Sequence, residues 1–111
     1  MIASKTISGI QTLDCSTVNN YTAFEAGLYD EAMIELVKAD GSSDPTSGSL
    51  QVVYGMSSKG PWYATDLATL GGSVNMATPK FDLFAPWFAV RVATATSGVL
   101  LDVRVYLRRT S

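Results

Sequence analysis

Residues 87–109, WFAVRVATATSGVLLDVRVYLRR, decide the fold. In the second half Val99, Leu101, Val103, Val105 and Leu107 fall on one side, and Leu100, Asp102, Arg104, Tyr106 and Arg108 on the other. In the first half Phe88, Val90 and Val92 oppose Trp87, Ala89 and Arg91. A strict period of two belongs to a strand with one face on a core and one on solvent or a partner. The stretch therefore predicts two long strands joined at Thr96-Ser97-Gly98, a hairpin whose outward face carries Arg91, Arg104 and Arg108. The rest of the chain must supply strands to pack against it.

Working outward, Leu50, Val52 and Tyr54 alternate with Gln51 and Val53, which predicts a further strand. Residues 21–26, 62–64 and 80–83 read as shorter ones, separated by turn composition at 16–20, 27–30, 40–48 and 55–61. Residues 32–39, AMIELVKA, contain good helix formers, yet no apolar stripe at i, i+3, i+4 separates from a polar face. With every other segment strand-like, agreement between local and global pattern makes this one a strand as well. Residues 66–78, broken by Gly71-Gly72, read as irregular or as one helical turn. The expected fold is all-β, an antiparallel β-sandwich and specifically a jelly roll of about eight short strands. It forms one domain over residues 1–111. Residues 1–13 are too weakly periodic for a core strand and read as an N-terminal arm, or an edge strand around 5–10, with Ile2, Ile7 and Ile10 available to a neighbouring subunit.

Composition excludes most chemistry. The chain has no histidine, which removes the commonest general base and zinc ligand, and its single cysteine can form neither a thiolate cluster nor an internal disulfide. The acidic neighbours Asp30–Glu31 and Asp40–Asp44 lie in turn composition, where carboxylates cap backbone groups. No glycine-rich stretch has phosphate-loop spacing. The expectation is a protein that is not an enzyme and holds no cofactor and no metal. Net charge is −2, and the eight basic residues are scattered apart from Arg104, Arg108 and Arg109, so no basic stripe offers itself to nucleic acid. No apolar run approaches the ~20 residues that span a bilayer, and the N-terminus lacks a basic segment followed by an apolar one. A soluble product made in the cytoplasm, with no membrane partner, is expected. The charged share is 16%, against about 25% in typical domains, and such a bland surface suits packing in an assembly.

Two groups of side chains are candidate contacts. Trp62, Tyr63 and Trp87 sit at strand edges, where aromatic rings either close the ends of a core or offer stacking platforms for a sugar. Arg91, Arg104 and Arg108 are either solvated charges or interface contacts, Arg being enriched at interfaces.

Two runs resemble a family of small virion proteins of tailed bacteriophages: SLQVVYGMSSKGPWYATD (49–66) and APWFAVRVATATSGVLLDVRVYLR (85–108). The first is similar to the family's strand, turn and Trp-initiated strand. The second is similar to its closing pair, an aromatic and VRV before a Gly turn and a Val-rich last strand. Tyr29-Asp30 before an apolar strand fits the same layout, and together these cover about half of the chain. Lys59 stands where the family's turn usually has Asp, which leaves Gly60-Pro61 to hold the bend. The resemblance implies a jelly roll or sandwich serving as a head decoration (cement) protein that stabilises the shell, or as a tail or fibre component that binds a receptor or carbohydrate. The implied location is the virion, and the implied partners are the major capsid protein lattice or other virion proteins. Open sheet edges and few charges further predict a homo-oligomer, with a trimer expected from the family's placement on local three-fold axes.

Overall fold

The computed structural model of the chain describes residues 3–6, 11–43, 48–64, 75–77 and 81–109. Ten strands run through them: β1 (Ala3–Thr6), β2 (Gln11–Asp14), β3 (Tyr21–Glu25), β4 (Glu31–Lys38), β5 (Ser49–Gly55), β6 (Trp62–Ala64), β7 (Asn75–Ala77), β8 (Phe81–Asp82), β9 (Trp87–Thr94) and β10 (Leu100–Arg109). No helix occurs among the described residues. The chain is all-β, built as two antiparallel sheets. One has the order β1-β10-β4-β7, with β2 also on β10 and β8 also on β4; the other has the order β3-β9-β5-β6.

The period-two pattern translates directly into burial. Val103 and Phe88, Val90 and Val92 have no exposure, and Val99, Leu101, Val105 and Leu107 are at most 5% exposed. β4 behaves in the same way. Ala32, Ile34 and Leu36 point inward while Glu31, Met33, Glu35 and Val37 point outward, so the helix-forming residues of 32–39 yield to the sheet. Inward side chains of both sheets form one core, in which the cross-strand rings of Phe24 and Phe88 stack with centroids 5.6 Å apart. Such a ring pair adds about 0.5–1.5 kcal/mol beyond the area it buries.

β9 and β10 are not a hairpin. β9 lies between β3 and β5 in one sheet, and β10 lies between β4 and the β1/β2 pair in the other. Alternation specifies which face of a strand is buried and leaves its neighbour open. Here both edges of each strand are already taken, so the chain crosses from one sheet to the other at residues 95–99. Gly98 takes φ +76° at this corner. The β2–β3 connection laces the corner in place: Cys15 N donates to Val99 O, Thr96 N to Cys15 O, and Asn19 N to Val92 O. On the other side Ser43 N donates to Gly98 O, and the Ser42 hydroxyl accepts from Leu100 N.

The N-terminal segment is held by its own chain. β1 pairs with Tyr106–Arg109 and β2 with Leu100–Val103, both on the same edge of β10. Leu13 is 1% exposed in the core. Gln11 ties the two sheets at this edge, its amide donating to Ala23 O and its side-chain oxygen accepting from the Thr22 hydroxyl. β1 thus overlaps the expected edge strand around 5–10 at residues 5 and 6, and the rest of that stretch lies outside the described residues. Ile2, Ile7 and Ile10, the expected arm contacts, lie outside the described residues, as do most of 66–78 and Asp44.

Candidate interaction surfaces

The crossover between β9 and β10 separates the arginines. Arg104 and Arg108 lie on the outer face of the β10 sheet, and Arg91 lies on the outer face of the β9 sheet. The register of β10 on β4 sets Arg104 opposite Glu35 and Arg108 opposite Glu31. Arg104 Nη1 meets Glu35 Oε1 at 3.2 Å, and Arg108 Nε donates to Glu31 Oε1 at 2.9 Å. Asp102, one step along, accepts from the Thr12 hydroxyl at 3.0 Å. This face is a ladder of compensated charges. It offers no field that would gather an anionic partner, and half-exposed pairs of this kind contribute about 0.2–1 kcal/mol each.

The outer face of the β9 sheet is aromatic. Trp62 pairs with Gly55, which pairs in turn with Trp87. Gly55 leaves no room for a side chain, because a Cβ there would meet the Trp62 ring at 2.8 Å. The indole continues to Tyr21, edge to face at 5.2 Å, and the Tyr21 hydroxyl donates to Ser58 O at 3.3 Å. Beneath these rings Val53 and Ala89 have no exposure although they lie outside the main core. Trp62 therefore works as the cover of a second, small apolar layer. Arg91 continues this face, its Nη2 donating to Gln51 at 3.1 Å. Tyr63 alternates to the opposite side, opposite Tyr54, and is 64% exposed. The structure thus brings Trp62 and Trp87 together on one face and sets Tyr63 apart.

The turn after β5 is held by a serine. Ser57 Oγ donates to Gly60 O at 2.8 Å and accepts from Lys59 N, while Gly60 N donates to Ser57 O. Ser57, two residues before Lys59, thus supplies a side-chain bond that helps Gly60-Pro61 hold the bend.

One surface goes beyond the sequence reading. Leu28, Met56, Phe84 and Tyr63 are 76%, 71%, 68% and 64% exposed, the four most exposed large apolar side chains among the described residues. All four lie at one end of the molecule, on the β3–β4 and β5–β6 connections, at the start of β6 and between β8 and β9. The end is well fastened: Ala26 N donates to Pro86 O, Asp30 N to Arg108 O and Leu83 N to Asp30 O. Tyr54 spans the two sheets just beneath, its hydroxyl on Asp82 O at 2.8 Å and its ring 5.6 Å from Phe84. Burial, with the Asp82 carboxylate adding, pushes the Tyr54 phenol well above its usual range. The opposite end is more polar, though Val18 is exposed there. There Asp14 Oδ1 accepts from both the hydroxyl and the N–H of Ser16, which lowers the Asp14 carboxyl from its ordinary value. The available signal for the apolar end was a large apolar residue inside turn composition: Leu28 after Gly27, Met56 after Gly55, Phe84 before Ala85-Pro86.

Nothing in the described residues gathers three or more carboxylate, cysteine or histidine groups that could hold a metal. Among the described residues no helix is long and apolar enough to cross a membrane.

No protein-family model matches the chain. No curated protein matches it by sequence. Among solved structures it is similar to the SPBc2 prophage-derived protein YomS, with a TM-score of 0.58 and 16% identity, over 97% of this chain and 93% of that one. At that identity the likeness shows a shared fold. A subunit of the disulfide-linked pili of Bacillus endospore appendages also matches, with a TM-score of 0.49 and 13% identity, over 98% of this chain and 88% of that one.

Proposed function

We propose that the chain is a non-enzymatic structural protein of a tailed-phage virion, a jelly roll that binds the outside of the head shell and stabilises it. The strand order carries the reading. β1 and β2 pair with successive parts of β10, and β7 and β8 with successive parts of β4, so each pair counts as one interrupted strand. Counted so, there are eight strands, and their order supports a jelly roll: first-eighth-third-sixth in one sheet and second-seventh-fourth-fifth in the other. Jelly rolls are the recurring domain of viral capsids. Fold alone does not fix function. Further support comes from the full-length fold likeness to a prophage-derived protein and from the two runs that resemble phage virion proteins. The mechanism is mass action: a protein that binds the assembled shell and not its dissociated subunits stabilises the shell in proportion to occupancy. Peptide mass spectrometry of purified virions, separated into heads and tails, tests it. The proposal requires the chain in the head fraction at a stoichiometric level, and its absence from virions would sink the idea.

A carbohydrate- or receptor-binding tail module is the second reading. It is favoured by Trp62 and Trp87 sharing one face with the Arg91–Gln51 pair. Recovery in tails together with a specific signal on a glycan array would put it first.

A further inference from the structure

We propose that copies of this chain associate through the apolar end formed by Leu28, Met56, Tyr63 and Phe84. The inference gives a surface to the homo-oligomer expected from the sequence and is independent of the head shell.

Size is the first argument. With exposures between 64% and 76%, the four side chains present on the order of 500 Å² of apolar surface, at the upper end of what a monomer leaves open. Doubled across a contact between two copies, that reaches the ~1,000 Å² a stable interface needs. Preorganisation is the second. The loops that carry Leu28 and Phe84 are tied by the backbone bonds of Ala26, Asp30 and Leu83, and the turn after Met56 by the bonds between Ser57 and Gly60, so little ordering cost remains on association.

Charge selects a second copy over a foreign partner. Exposed charges of both signs stand around this end, Lys59 and Arg109 against Glu25 and Asp82. Among the described residues Lys59, Glu25 and Asp82 have no ion-pair partner, whereas the charges of the β10 face are already matched in register. A footprint that carries both signs is complementary to itself. Rotation about a symmetry axis sets Lys59 of one copy across from a carboxylate of the next, with the apolar side chains between them. The long axis of the molecule, 42 Å against 25 and 22 Å, lets several copies converge on one axis by their ends without lateral contact.

The test is sedimentation equilibrium of the full chain from about 1 to 100 μM, alongside the double variant Leu28→Asp/Met56→Asp and the control Val18→Asp. Leu28 and Met56 are 76% and 71% exposed, so their replacement leaves the core intact, and circular dichroism melts check this. Val18, 51% exposed, lies at the opposite end. The wild type and Val18→Asp should sediment as a multiple of 11.8 kDa, and the double variant should dissociate at concentrations at least tenfold higher. Phe84→Ser repeats the measurement through a third side chain and should weaken association in the same sense. A wild type that stays monomeric throughout, or a double variant that keeps the wild-type mass, overturns the proposal. So does a monomeric wild type whose virion incorporation is abolished by Leu28→Asp/Met56→Asp, since the end would then dock on another protein. Because virion content is scored separately, failure of self-association and failure of the virion reading remain distinguishable.

Discussion

Replacing Leu13 by alanine separates a core strand from an arm. Leu13 is 1% exposed in the shared core, on a strand whose backbone pairs with β10. Truncation removes three buried carbons and leaves a cavity whose walls belong to two sheets held in register, so collapse is limited. The expected loss is about 3–4 kcal/mol, in the middle of the range for buried leucines. For a chain of 111 residues, each kcal/mol moves the melting temperature by roughly 4 °C, which gives a drop of about 12–16 °C. The assay is thermal unfolding followed by circular dichroism, with Thr12→Ala as a neighbour whose exposed hydroxyl bonds only Asp102 and whose loss should cost under about 1 kcal/mol. A folded Leu13→Ala protein that melts within about 4 °C of the wild type would refute the reasoning and extend the arm through residue 14.

Three further outcomes follow from particular contacts. Burial, with Asp14 adding, pushes the Cys15 thiol up to about 11 from an ordinary 9. The folded state therefore holds this proton more tightly than the unfolded state. The resulting stability is complete below pH 9 and lost as pH rises through 11, so the urea midpoint of the wild type should fall more steeply across that window than that of Cys15→Ala; equal slopes would count against it. A double-mutant cycle on Arg104→Ala and Glu35→Ala should give a coupling of about 0.2–1 kcal/mol that shrinks in high salt, and a coupling above about 2 kcal/mol would mean a far less solvated pair. Gly98→Ala places a Cβ 2.8 Å from Ser43 Oγ at a φ of +76° and should cost about 1–2 kcal/mol by chemical denaturation; no loss would mean that the sheet-to-sheet corner is built differently.

Which faces line the shared core was legible in the long strands, although Val53 and Ala89 on the other face are buried as well. Val99, Leu101, Val103, Val105 and Leu107 were readable as one inward face because a strand's side-chain period is fixed by its backbone. Residues 32–39 were readable as a strand because no apolar stripe at helical spacing separates from a polar face and the other segments are strand-like. Strand pairing was less accessible. TATSG between two alternating runs fits a hairpin and equally a corner between sheets, and only the edges already occupied by β3, β4 and β5 decide between them. That choice also scattered the candidate sites, placing Arg91 on one outer face and Arg104 and Arg108 on the other. Trp62 could be placed at a strand edge from sequence, but its seat on Gly55 and its contact with Tyr21 depend on a pairing between residues far apart in the chain. The apolar end was hidden for the same reason, since Leu28, Met56 and Phe84 belong to three turns that meet only in the fold.

The central claim is that the chain stabilises an assembled shell by binding it, and an add-back experiment tests this most directly. Shells lacking the protein are heated with increasing amounts of the purified full-length chain, and disruption is followed by light scattering while bound protein is measured by co-sedimentation. The account predicts a disruption temperature that rises with concentration and levels off as binding saturates, as differential binding to the assembled state requires. Shells that bind none of the protein, or bind it to saturation without any rise in that temperature, would contradict the account.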